Sequence, residues 1–148
     1  MPDNPTFQLT IMTPEHALVE APAESLILPA VDGELGVLAG HAPMVVTIKE
    51  GIGRVTMNGA TRRFAASAGF ATIMPDTALV MLQTAEWEED IDRKRAERDK
   101  RRAEEALRQK RSRHEYQMAH ATLARAMVRL RISDRSRNLN NAQFVMRN

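Results

Sequence analysis

The sequence predicts a flattened β-sandwich over residues 1–87, followed by an antiparallel α-helical hairpin over residues 88–148. Two distributions along the chain predict this division. All seven prolines lie at or before Pro75 and Gly69 is the last of the seven glycines, so no helix breaker follows Pro75. The first 85 residues carry eight acidic and four basic side chains, whereas the remainder carries eleven acidic and seventeen basic ones. The two parts therefore differ both in the structures they favour and in electrostatic character.

Period-two alternation and turn residues predict the strands of the first part. Residues 7–11 alternate apolar and polar side chains, which is typical of a strand with one buried face. The pair Asn58-Gly59 predicts a type I′ hairpin, and Pro75 predicts the turn of a second hairpin. Further strands are predicted over residues 25–28, 44–48, 55–57, 60–62, 70–73 and 78–82, with Gly51 and Gly53 flanking a turn. Many short strands with frequent turns favour a β-sandwich or barrel.

Residues 32–43 contain three glycines and end in Pro43. Glycine permits positive φ angles and Pro43 ends any helix, so this run predicts a shaped loop. Its apolar side chains should hold the loop against the core. Asp32, Glu34 and His41 are then expected to face outward as candidates for chemistry or for contacts with a partner.

The second part is predicted to be helical. Over residues 90–111, acidic side chains precede basic ones by four residues, and each such pair contributes about 0.2–0.5 kcal/mol to a helix. A second helix is predicted over residues 116–132, followed by a polar, frayed tail over residues 133–148. The apolar positions of this second helix share one face. They are Ala119, Leu123, Ala126, Met127 and Leu130.

The predicted seam between the helices is rich in alanine, and each buried methyl group contributes less than about 1 kcal/mol. A helix pair that is supported by its own ion pairs but weakly packed is physically suited to two arrangements, docked and extended. A permanently packed hairpin is the alternative interpretation.

Several classes of function are disfavoured. The chain has no cysteine, its four histidines form no HExxH motif, and no GxxxxGK[ST] loop is present, so neither a metal site nor P-loop phosphoryl transfer is expected. Asp32, His41 and Ser67 are the residue types of a hydrolase triad, but Ser67 lacks a GxSxG context, so no catalytic residue is predicted. No signal peptide or membrane-spanning run is evident, and we expect a soluble cytoplasmic protein.

Residues 93–113 carry eleven basic and four acidic side chains, which raises the question of nucleic-acid binding. The interleaved acids would repel phosphates and the run contains no aromatic side chain for stacking on bases, so we predict a solvated face or an acidic protein partner.

A small polyanion is a further candidate ligand. Arginine forks suit phosphate oxygens, and a carboxylate can accept from an amino group or a hydroxyl group. One helical face carries two acids and two arginines, and a face of the next helix carries two more arginines. These residues are Asp92, Arg95, Asp99 and Arg102, followed by Arg125 and Arg129.

Residues 33–36 (GELG) and 40–43 (GHAP) resemble the signature loop of the epsilon subunit of F-type ATP synthases. The resemblance continues through the Asn-Gly hairpin, residues 67–70 (SAGF) and residues 116–132 (YQMAHATLARAMVRLRI), in the order of that family. It covers about residues 5–133.

The resemblance implies a non-catalytic rotor subunit of the central stalk. Such a subunit would lie at the cytoplasmic face of the cell membrane as a peripheral component. Such a subunit binds the gamma subunit and the c-ring and couples ion transport to ATP synthesis. Glu34 would face the c-ring and His41 would lie toward gamma. In the family the hairpin can also extend into the catalytic head, where its basic residues meet acidic segments and inhibit ATP hydrolysis.

Residues 91–96 (IDRKRA) resemble the [I/L]-D-x-x-R-A motif with which some family members bind ATP. By this resemblance ATP would be a regulatory ligand that holds the hairpin closed, not a substrate. The implied ligands are Glu86, Ile91, Asp92, Arg95, Ala96, Arg102, Arg125 and Arg129. Helix capping and surface charge are the competing interpretation of the same residues. The alternative function is a free-standing nucleotide-sensing or nucleic-acid-binding module that uses the basic hairpin.

Overall fold

The computed structural model describes the main chain of residues 4–109 and 112–147 and the side chains of residues 4–109 and 112–134. The chain divides into two compact units, Met1–Trp87 and Glu88–Asn148. The described part of the first unit contains ten strands. They are β1 (Phe7–Met12), β2 (Ala17–Ala23), β3 (Ser25–Ala30), β4 (Gly33–Leu38), β5 (Met44–Ile48), β6 (Gly51–Met57), β7 (Ala60–Ala66), β8 (Gly69–Ile73), β9 (Thr77–Leu82) and β10 (Ala85–Trp87).

All ten strands belong to one sheet, in the order β10-β7-β6-β3-β5-β8-β9-β1-β2, with β4 paired to β3. Every pairing is antiparallel except that of β1 with β9. A single hydrophobic cluster draws buried side chains from all ten strands, so the sheet folds over its own core as a barrel-like sandwich. The predicted β-sandwich is thereby confirmed.

Both predicted hairpins are present. Asn58 and Gly59 have φ angles of 51° and 76° and form a two-residue turn between Met57 and Ala60, as expected of a type I′ turn. The Pro75 turn joins β8 to β9 and is closed by the Met74 amide, which donates to the Thr77 carbonyl at 2.8 Å.

The prediction of a loop over residues 32–43 is wrong for its first half. Residues 33–38 form β4, which pairs with β3 along its whole length through a two-residue turn, Val31-Asp32. Leu35 and Val37 point toward the core and the alternate positions of β4 face outward, so the run follows strand periodicity despite its glycines.

Strand β2 was not predicted, because Pro22 lies within it. Proline cannot donate a hydrogen bond to a neighbouring strand, so it is tolerated mainly in edge strands. β2 lies at one end of the sheet order and pairs only with β1, which explains why Pro22 is accommodated.

Gly51 and Gly53 were predicted to flank a turn, but both lie within β6. Their role is close packing. A Cβ atom on Gly53 would lie 2.1 Å from Cζ of Phe64, and one on Gly51 would lie 2.5 Å from Cβ of Pro29. Larger side chains are therefore excluded by neighbouring side chains and not by backbone angles.

The second unit begins with a single 3-10 turn, Glu88–Asp90, and continues as helices α1 (Arg93–Arg108) and α2 (Arg113–Arg147). The helices run antiparallel, because Arg93 at the start of α1 pairs with Asp134, far along α2. In the described part of the chain, no helix is both long and apolar enough to cross a lipid bilayer.

Alanines form most of the buried seam between α1 and α2, as predicted; the buried ones are Ala96, Ala103, Ala119 and Ala126. Met127 was placed on this seam from the sequence, but its side chain is 52% exposed. The predicted tail is also corrected, since α2 remains helical to Arg147 instead of ending near residue 132. Without proline or glycine beyond residue 75, nothing in the main chain forces the helix to end.

Replacing Gly53 by alanine is expected to destabilise the first unit by about 1–3 kcal/mol, the usual cost of overpacking. Gly36→Ala is the matched control, because a Cβ there would have nothing within 4 Å. Urea unfolding can be followed through the fluorescence of Trp87, which packs edge-on against Phe64 at 6.1 Å. Equal loss of stability in the two variants would contradict the close-packing explanation.

Candidate functional site

Ser67 has a structural role that rules out a hydrolase triad. Its side chain is 1% exposed. Its hydroxyl donates to the Thr84 carbonyl at 3.0 Å and accepts from the Thr84 amide at 2.6 Å. Both hydrogen-bonding functions of the hydroxyl are thus used to join the end of β7 to the chain after β9, which leaves no activated nucleophile.

Glu34 lies on the outward side of β4, and its side chain is 66% exposed. Nη2 of Arg54 on β6 donates to Oε2 of Glu34 at 3.4 Å. An exposed pair of this kind contributes less than about 1 kcal/mol. The pair therefore orients the carboxylate while leaving it able to contact a partner.

His41 follows β4 and is half-buried. Its Nδ1 lies 2.7 Å from the carbonyl oxygen of Ala42. Because a carbonyl only accepts hydrogen bonds, Nδ1 must carry the proton in this arrangement, and in the neutral ring Nε2 is then the acceptor. The ring orientation is set by the main chain next to it.

An outward-facing surface without charged side chains extends across four adjacent strands. We call it the uncharged sheet face. Cross-strand register places its members on the same side of β5, β8, β9 and β1. They are Val45, Thr47, Phe70, Thr72, Leu79, Met81, Thr10 and Met12. Val45 is 72% exposed, and Phe70 and Leu79 are also exposed.

An apolar groove of about 490 Å³ lies at one end of this face. Phe70, Met81 and Met12 contribute to both the groove and the face. This surface was not predicted from the sequence, although the nearly continuous apolar runs of β5 and β9, with apolar residues on both faces of each strand, were a visible signal. Contiguous exposed apolar surface is characteristic of interaction sites.

The IDRKRA motif lies at the start of α1. Asp92 is the N-cap residue, and its Oδ1 accepts the main-chain N–H of Arg95 at 3.1 Å. Ala96 is buried, Ile91 is half-buried and the Arg95 side chain is exposed. The aspartate of the motif is thus engaged in capping, which agrees with the competing interpretation of these residues.

The other residues predicted to bind ATP lie elsewhere in the two units. Arg129 pairs with Asp99 at 3.7 Å across the helix pair, and Arg125 donates to Oγ1 of Thr122 at 3.3 Å. Arg102 lines a cleft of about 310 Å³ between α1 and α2, together with Asp99. Glu86 belongs to β10 of the first unit, so this set of residues is not confined to one unit.

The cleft also includes residues that were not among the predicted ATP ligands. They are Ala103, Ala106, Glu115, Met118, Ala119 and Thr122. Only the register between the two helices brings them together. Among the described residues, no group of three His, Asp or Glu side chains is placed to hold a metal ion.

Most of the basic side chains of helix α1 lie on two flanks that differ in how they are paired. On one flank Arg93 pairs with Glu97 at 3.3 Å and Lys100 pairs with Glu104 at 4.0 Å. The other, here called the cationic flank, comprises five exposed side chains for which the described residues supply no acidic partner within 4 Å. These are Lys94, Arg95, Arg98, Arg101 and Arg102. Their helical spacing places them on one side of α1.

Comparisons with known proteins identify both units. The model of the β-sandwich domain of the ATP synthase delta/epsilon chain matches residues 6–88, and the model of the long α-helix domain of the same chain matches residues 89–134. The resemblance of the chain to the epsilon subunit family is therefore confirmed for both units.

Individual relatives support the same assignment. The ATP synthase epsilon chain of Ruminiclostridium cellulolyticum is 42% identical over 132 residues, which cover 89% of this chain and 98% of that protein. The epsilon chain of Symbiobacterium thermophilum is 42% identical over 126 residues, or 84% of this chain and 91% of that protein.

A solved structure shows the same fold. A chain in the mitochondrial ATP synthase of Euglena gracilis aligns with a TM-score of 0.69 at 22% identity, over 82% of this chain and 78% of that chain. With domain models matching nearly the whole described chain and relatives aligned over almost their full length, the protein belongs to the ATP synthase delta/epsilon chain family, whose epsilon chains are non-catalytic stalk subunits.

Proposed function

We propose that this chain is a rotor subunit in the central stalk of an F-type ATP synthase, where it couples an ion-driven c-ring to the catalytic head through a gamma subunit. The observation that carries the proposal is the uncharged sheet face. A subunit that stays in an assembly can expose such a surface because a partner covers it. We assign this face, with His41, to the gamma subunit.

Glu34 is assigned to the polar loops of the c-ring. Its carboxylate is exposed and is oriented by Arg54. In this proposal the chain reaches the cytoplasmic side of the cell membrane as a peripheral component, through the complex alone. The nucleic-acid alternative gains no support, because α1 has no aromatic side chain beside its cations.

We further assign the cationic flank of α1 to an acidic surface of the catalytic head, a contact that inhibits ATP hydrolysis when the hairpin is extended. Five exposed cations on one side of a helix create a local positive field that attracts carboxylates. The alanine seam supports the same proposal, since its small side chains make undocking of the helices inexpensive.

ATP is proposed as the regulatory ligand of the second unit. Arg95 and Arg102 are exposed, and the cleft beside Arg102 has about 310 Å³ of space. Arginine forks are suited to phosphate oxygens. In this proposal ATP holds α1 and α2 together and is not hydrolysed by this chain.

The assembly is tested by co-purification with gamma. Val45→Glu is expected to abolish recovery of gamma with this chain, because a charge would be buried in an apolar contact. Ala60→Glu, at an exposed position on β7, is the control and should leave recovery unchanged. Full recovery of gamma with Val45→Glu would contradict the assignment of this face.

Inhibition is tested by the ATPase activity of the assembled complex. Changing Lys94, Arg98 and Arg101 together to glutamine should raise hydrolysis several-fold, because the attraction to acidic groups is lost. Arg108→Gln is the control, since Arg108 pairs with Glu105 near the end of α1. Removal of residues 88–148 should raise activity at least as much. Unchanged hydrolysis in both variants would argue against inhibition.

ATP binding is tested by calorimetry on the full chain. Arg95→Gln or Arg102→Gln should weaken binding about tenfold or more, the factor expected for one lost charge-assisted hydrogen bond. Arg98→Gln, on the same flank but outside the predicted ligand set, is the matched control. Asp92→Asn is preferable to alanine because it keeps a capping side chain. Absence of saturable heat with the unaltered chain would refute the site.

A further inference from the structure

The turn between β6 and β7 contains the dipeptide that is chemically most prone to spontaneous loss of an amide. When glycine follows asparagine, no Cβ hinders attack of the next main-chain nitrogen on the asparagine side chain. Asn58 and Gly59 are both exposed at this turn, with φ angles of 51° and 76°. The reaction requires only water and the loss of a proton from the Gly59 nitrogen.

Glu24, which is distant in sequence, forms a hydrogen bond with that nitrogen. The main-chain N–H of Gly59 donates to Oε1 of Glu24 at 2.8 Å. Glu24 lies between β2 and β3, and its own N–H donates to the Thr56 carbonyl at 2.8 Å, which fixes it beside the turn. Its second oxygen, Oε2, accepts from the Asn4 side-chain amide at 3.1 Å. The carboxylate is therefore held by both its main chain and its side chain.

We propose that Asn58 is a deamidation site and that Glu24 sets its lifetime in the folded chain. In the reaction the Gly59 nitrogen loses its proton and bonds to Cγ of Asn58, and the amide nitrogen leaves as ammonia. Water then opens the resulting succinimide at either carbonyl, which gives aspartate or isoaspartate at position 58. A carboxylate that accepts the Gly59 proton in a hydrogen bond opposes this first step, because it disfavours a second negative charge beside it.

The products would disturb the turn in two ways. Either product places a new carboxylate on the residue that precedes the Gly59 amide bound by Glu24, and nearby like charges repel. Isoaspartate also inserts an extra carbon into the main chain, which is incompatible with the two-residue turn between Met57 and Ala60. Conversion at Asn58 thus loosens the β6–β7 hairpin irreversibly. It becomes possible when the hydrogen bond between the Gly59 N–H and the Glu24 carboxylate breaks.

The experiment incubates the full chain at mildly alkaline pH and measures deamidation at position 58 by peptide mass spectrometry. Glu24→Ala is compared with the unaltered chain, and Glu20→Ala, which removes an exposed carboxylate on neighbouring β2, is the control. The unaltered chain unfolded in urea supplies the unrestrained rate. Glu24→Gln keeps an acceptor but removes the charge, and it serves as the second variant if Glu24→Ala does not fold.

Glu24→Ala is expected to deamidate roughly tenfold faster than the unaltered chain, the factor that one charge-assisted hydrogen bond supplies. Glu24→Gln should deamidate at a rate between those of Glu24→Ala and the unaltered chain. Glu20→Ala should deamidate at the same rate as the unaltered chain. Folded Glu24 variants that react no faster than the unaltered chain would overturn the proposal. So would an unfolded chain that reacts no faster than the folded one.

Discussion

The first unit depends on the contact between the ring of Phe64 and the bare main chain of Gly53. These residues are cross-strand partners in β6 and β7, and Phe64 is fully buried. Trp87 packs edge-on against Phe64, while Arg62 lies 3.7 Å from the centre of the indole ring system. Because β10 has only three residues, these aromatic and cation–π contacts do much to hold the last strand onto the sheet.

The second unit is stabilised differently. Its seam consists mainly of alanines, so the hydrophobic contribution per residue is small. Ion pairs such as Arg93–Glu97 support α1 without any packing partner, and Arg129–Asp99 links the two helices. The helices therefore retain their own stability if they separate. This property, together with the cationic flank, gives the proposed inhibitory movement a physical basis.

Much of the sheet was predictable because its strands alternate apolar and polar residues and its hairpins carry specific turn residues, such as Asn58-Gly59. Strand β2 was missed because it contains Pro22, and β4 was missed because the three glycines and Pro43 of residues 32–43 were interpreted as a loop. The cap of α1 at Asp92 was predictable because its motif is contiguous. The uncharged sheet face and the Glu24–Gly59 contact were not predictable, because each brings together segments that are far apart along the chain.

The sequence by itself determined features that depend on a few neighbouring residues: the turns, the cap of α1, the absence of helix breakers beyond Pro75 and the separation of charge between the two parts. The tertiary structure decided which strand is an edge, and hence that Pro22 is tolerated. It also decided that Gly53 is required for packing and that Ser67 is a structural hydroxyl. The physical reason is that each of these roles is defined by an atom from a distant part of the chain, whose position no local pattern encodes.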